Sequence, residues 1–182
     1  MRITALIAMI AGLLTACERR DTQTKMDIPA ADQSDNRGIF VSWRHPVSHR
    51  TAILEEMDGM VWLYLSQPQT TQPARDCPAF VTATPPDSVD WERIKQTGEP
   101  PGITKDIATG RALIGHPSPE DFSTVWSSDG ESVAVRYRGE PICMIVVDQK
   151  RGHSKAVGRS SPLGEPFDEA LFASTFTSPP QP

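Results

Sequence analysis

His45 and His49 are four residues apart in "HPVSH". On a helix that spacing would aim two imidazoles at one metal ion. Pro46 disfavours a helix through the segment, and no third ligand stands near in sequence, so the pair reads as a surface loop and no metal site is assigned. His116 in "GHPSP" and His153 in "RGHSK" fall in expected turns. "GHSKA" (152–156) approaches the Gly-x-Ser-x-Gly elbow, which exposes a nucleophilic serine between a strand and a helix. Here the last glycine is replaced by Ala156 and no helix pattern follows, so Ser154 is not taken as a nucleophile. "SDN" (34–36) has no Ser-x-x-Lys companion in the rest of the chain. Glu55 and Glu56 are adjacent in a strand pattern and so point to opposite faces rather than to one substrate. No catalytic set, metal centre or cofactor loop emerges, and the chain is read as a non-enzyme.

The cysteines carry more information. Met1 and Arg2 form a basic start, residues 3–14 are almost wholly apolar, and small residues lead to Cys17. That is the layout of a secretory signal, and the apolar run is shorter than the roughly 20 residues that span a bilayer. Leu14-Thr15-Ala16-Cys17 resembles the bacterial lipobox. The resemblance implies cleavage before Cys17, a diacylglycerol on its thiol and a third acyl chain on its new amino group. Two lipid signals already hold a protein stably at a membrane, so three make the attachment effectively permanent. Cys77 and Cys143 remain, and an even pair in an exported chain reads as a disulfide, with two free buried thiols as the alternative. The expected location is the cell envelope, facing the periplasm, with the outer membrane favoured over the inner.

These features divide the chain into a lipoprotein signal peptide (1–16), a lipidated cysteine with a flexible tether (17–37), a single β-rich periplasmic domain (38–176) and a disordered tail (177–182). The tether is charged and poor in apolar residues, too polar to offset the entropy of ordering. As a coil it would reach about 25 Å. The formal net charge of −5 argues against a polyanionic partner, so nucleic acid is excluded.

Within the domain, strand patterns dominate. "GIFVSW" (38–43), "TAILEE" (51–56), "MVWLYLS" (60–66) and "AFVTAT" (79–84) are β-branched or aromatic, and Asp58-Gly59 is a hairpin signal. Val61, Leu63 and Leu65 alternate with Met60, Trp62 and Tyr64, so that strand should be covered on both faces. "ICMIVV" (142–147) behaves alike and places Cys143 inside. Asp129-Gly130, Arg138-Gly139 and Arg151-Gly152 mark turns of a meander. "ESVAVRYR" reads as half-exposed, with Ser132, Ala134, Arg136 and Arg138 on the open face. "DSVDWERIKQTG" (87–98) suits a short helix capped by Asp87 or Ser88 and ended by Gly98, with Val89 and Ile94 facing inward. A second helix capped by Asp168 suits "FDEALFASTF". The expected fold is α+β, mainly β: a single antiparallel β-meander sheet with one or two short helices.

"VWSSDGESVAV" is similar to the strand-turn-strand of a β-propeller blade, but one copy reports only a hairpin. "WLYLSQP", "RDCPAF", "GEPPG", "VWSSDGESVAVRYRGEPICMIV" and "RGHSK", in this order, resemble small uncharacterised proteobacterial proteins, some of them immunity-protein-like. The resemblance implies a protein partner, such as a toxin effector to be neutralised, and supplies no catalytic residues. The alternatives are a structural or accessory lipoprotein of envelope assembly or secretion, and an envelope hydrolase. Arg136 and Arg138, two apart on one strand, are the expected partner-binding pair, since guanidinium forks match carboxylates.

Overall fold

The computed structural model describes residues 38–176. The expected signal peptide, Cys17, tether and tail lie outside the described residues.

Four antiparallel strands come first: β1 (Phe40–Arg44), β2 (Thr51–Met57), β3 (Met60–Ser66) and β4 (Pro73–Val81). β2 and β3 join through Asp58-Gly59, both at positive φ (52° and 75°), the two-residue turn whose twist matches the strands. β3 lies between β2 and β4. Its Val61, Leu63 and Leu65 enter one core and its Met60 and Trp62 another, as the alternation requires. β4 begins at Pro73 and ends at Val81, earlier than its apolar run suggests. It accommodates Pro78 at an irregularity between Val61 and Trp62, on the last strand of its sheet, where a missing donor is tolerated.

A long connection follows, carrying helix α1 (Trp91–Thr97). It rejoins β4 where Val81 N donates to Ala112 O and Ile114 N donates to Val81 O. Then come β5 (Phe122–Trp126), β6 (Val133–Tyr137), β7 (Glu140–Ile145), β8 (His153–Ser154), β9 (Glu165–Pro166) and helix α2 (Glu169–Phe176). β5 to β8 pair antiparallel in order, and β9 adds parallel to β8.

The fold is α+β and mainly β, but it has two sheets, of four and five strands, where one was expected. The physical reason lies in the doubly apolar strands. β3 and β7 need cover on both faces, and one open sheet gives each only half. Leu54, Leu63 and Phe80 of the first sheet therefore pack against Val133, Val135 and Ile145 of the second. The Phe80 and Phe122 rings stack across the join at 5.5 Å. Full burial of such side chains contributes about 1.5–3 kcal/mol each. The connection covers the outer face of β3 with Ile103 and Ala112, joined by Val157 from the segment after β8, and α2 covers the outer face of β6 and β7 with Phe172 and Phe176.

One further expectation is corrected. β6 is not half-exposed: Ala134 is fully buried and Ser132 nearly so, because α2 lies over that face. Cys77 and Cys143 are both buried in the core between the sheets, as interior placement of Cys143 required, and they stand in this structure as free thiols, the alternative to the expected disulfide. The Cys77 thiol has its own acceptor, His153 O, at 3.4 Å. Burial first, then contact with Cys143, pushes that thiol well above its ordinary value.

Candidate functional site

The β2–β3 turn, the end of β4 and α1 enclose a cleft of about 250 Å³. Each wall has a local cause. Pro85-Pro86 follows β4 and forces the chain away from the sheet. Asp90 caps α1, its carboxylate accepting from Arg93 N at 3.0 Å, in place of the expected Asp87 or Ser88. Gly98 closes α1 in the left-handed conformation (φ 73°), as expected. Met60, Val81 and Ile103 form an apolar floor, with Val89 and Ile94 partly buried beside it.

The rim is charged. The Arg93 guanidinium is ion-paired with Asp58 and, at 2.9 Å, with Glu99, so it bridges the hairpin turn and the segment after α1. The Asp58 carboxylate, then its charge and that of Glu99, raise the Arg93 pKa further above its ordinary value. Asp90 and Ser88 complete the rim. Trp91, the first residue of α1, is 59% exposed. The volume falls below the roughly 300–1,000 Å³ of small-molecule and cofactor sites. It has room for a group the size of one side chain, apolar at the tip and flanked by positive charge to meet Asp58, Asp90 and Glu99.

Arg136 and Arg138 occupy a different environment from the one their spacing suggests. Arg138 pairs with Asp121 (3.0 Å) and lies over the Tyr137 ring at 5.0 Å. The pair holds the Asp121 carboxyl below the usual range. Arg136 sits opposite Ser123 and Pro141 at an irregularity of the β6–β7 ladder, with its Nε buried and without a partner among the described residues. Ser132 and Ala134, the rest of that row, are buried, so the open cationic stripe does not form.

The histidines and Ser154 are placed by structure. His45 Nδ1 accepts from Ser48 N at 3.1 Å in the β1–β2 loop, and its ring meets Trp126 at 5.2 Å. His49 and His116 sit in exposed loops at positive φ. Ser154 is fully buried, its hydroxyl donating to Ala79 O and accepting from Ala156 N. His153 lies on the other face of β8 in a shallow groove, Nδ1 3.0 Å from Pro166 O. Glu165, a carboxylate in that groove, is held below its usual range by the Ser160 hydroxyl and by Arg151 at 2.8 Å. A carboxylate so occupied is a poor proton acceptor. Among the described residues no group of three or more His, Cys, Asp or Glu could hold a metal ion.

The cleft escapes sequence reasoning because its floor and rim come from three separated stretches. The one signal in the sequence is Arg93, in the first turn of a short polar helix. Comparison with protein-family models, curated proteins and solved structures finds no match.

Proposed function

We propose that the protein is a lipid-anchored binding protein of the bacterial cell envelope, which faces the periplasm and grips a protein partner at the α1 cleft. The observation that carries the contact surface is the apolar floor of Met60, Val81 and Ile103 under a charged rim that includes the doubly paired Arg93, with Trp91 exposed on the same helix, α1. Trp and Arg are the residue types that most often dominate binding energy when a pocket lets them desolvate. The lipobox residues Leu14 to Cys17 support the anchor, and no helix among the described residues is long and apolar enough to cross a membrane. The immunity-type resemblance points to a toxin effector as the partner, and the acidic rim calls for a basic residue on it.

Capture from envelope extracts with the full chain as bait, read by mass spectrometry, identifies the partner. Trp91→Ala is expected to weaken binding of that partner at least tenfold, about 1.4 kcal/mol. Its melting temperature should stay nearly unchanged, since an exposed side chain contributes within about 0.5 kcal/mol to folding. Unchanged affinity would remove the exposed side of α1 from the contact surface.

A further inference from the structure

The first sheet ends at β1, whose outer side is joined to no strand among the described residues. The register with β2 decides which backbone groups face outward. Glu56 N donates to Ile39 O at 2.7 Å, and His45 N donates to Arg50 O at 2.9 Å. Odd-numbered residues of β1 therefore exchange hydrogen bonds with β2, and Phe40, Ser42 and Arg44 turn N–H and C=O to the free edge. Val41 and Trp43 face the core, whereas Phe40, Ser42 and Arg44 are exposed, Phe40 to 62%. The stretch "FVSWR" contains no proline and carries one charge, so little shields this edge from another strand.

We propose that β1 pairs antiparallel with β1 of a second copy of this chain, about a twofold axis at Ser42. In that register Ser42 faces Ser42, and Phe40 of each copy faces Arg44 of the other. All of these are outward-bonding positions, so each facing pair exchanges two N–H···O=C bonds, and the two four-stranded sheets become one. Facing residues of this kind lie about 5.5 Å apart at Cα, within reach of a guanidinium over a phenyl ring. Neighbouring registers are worse. A slip of two residues one way sets Arg44 against Ser42 and leaves Phe40 without its cation. A slip of four residues that way sets Arg44 against Arg44. Pro46, with no N–H, stops the ladder from extending past the loop. The reciprocal match of ring and cation is why the occupant is a second copy rather than an unrelated strand. The pairing does not depend on the cleft reading.

Sedimentation velocity over a wide concentration range tests it, with the full chain in detergent kept in large molar excess so that copies share a micelle only by associating. The wild-type protein should show a concentration-dependent dimer. Ser42→Pro removes an N–H that faces solvent in the monomer, so melting should hold while dimerisation weakens at least tenfold. Phe40→Arg should do the same by setting two arginines against each other. Combining Phe40→Arg with Arg44→Glu sets opposite charges face to face and should restore the dimer. A monomer at every concentration would overturn the proposal. So would a dimer indifferent to Ser42→Pro, or a failure of the double variant to recover while it melts like the wild type.

Discussion

Gly152 shows what one missing side chain does for this core. A Cβ there would lie 2.4 Å from the Cys77 Cβ, 2.6 Å from its sulfur and 3.0 Å from Asp76 O. The glycine's backbone is not in the left-handed region, so its role is close approach rather than a special φ. It lets the chain entering β8 press against β4, where Cys77 Sγ reaches His153 O and the Ser154 hydroxyl reaches Ala79 O. Gly152→Ala must push β4 and β8 apart, because a clash with backbone and Cβ has no flexible tip to yield. Overpacking of this kind costs about 1–3 kcal/mol. Urea denaturation is expected to show that loss, and a variant as stable as the wild type would mean the two strands can separate freely. The sequence marked Arg151-Gly152 as a turn, but the crowding belongs to Cys77, far away in the chain.

At the scale of elements, α2 decides the state of β6. Asp168 starts it, its carboxylate accepting from Leu171 N at 2.9 Å, and one face sets Phe172 and Phe176 against Ala134, Met144 and Val146. Phe167, Phe172 and Phe176 also contact one another, at 5.7 and 5.3 Å between centroids. Eight residues are too few to stand as a helix alone in water, so packing sustains this one. Phe172→Ala is expected to destabilise the fold by about 3–5 kcal/mol, the usual range for a buried aromatic. Chemical denaturation measures that loss. Near-ultraviolet circular dichroism should change little if α2 stays docked on Phe176, and its collapse would show that Phe172 alone holds the helix.

For the whole molecule, the hydrogen-bonded carboxylates set the response to acid. Asp106 is held below the usual range by the Thr104 hydroxyl and Arg159, Asp121 by Arg138, Asp129 by the Ser127 hydroxyl, and Glu165 by the Ser160 hydroxyl and Arg151. A carboxyl depressed in the folded state stabilises it fully above the unfolded value, about 4, and that stabilisation fades as pH falls through the folded value. Asp76 has the opposite sign, since burial raises it and its protonation favours folding. The depressed group is larger, so melting temperature should stay level from about pH 7 to 5 and drop below about 4. Asp121→Asn is expected to melt slightly below the wild type at neutral pH, since Arg138 loses its partner, and to converge with it near pH 2. Thermal melts at both ends check this, and a gap that persists undiminished in acid would mean the Asp121–Arg138 pair is not its source.

Much of this protein was decided by local rules that the sequence states by itself. The alternation in "MVWLYLS" made β3 a strand covered twice, Asp58-Gly59 made its hairpin, Gly98 ended α1 and Asp168 opened α2. Each rests on backbone chemistry or side-chain period within a few residues, so neighbours suffice to read it. The tertiary structure alone decided that there are two sheets, that Ala134 is buried, that Arg138 is bound to Asp121, and that Arg93 stands over a floor built from β3, β4 and the connection. Those outcomes depend on which distant face arrives to cover a strand. A pattern of period two shows that a face is apolar enough to need cover, but not what will cover it.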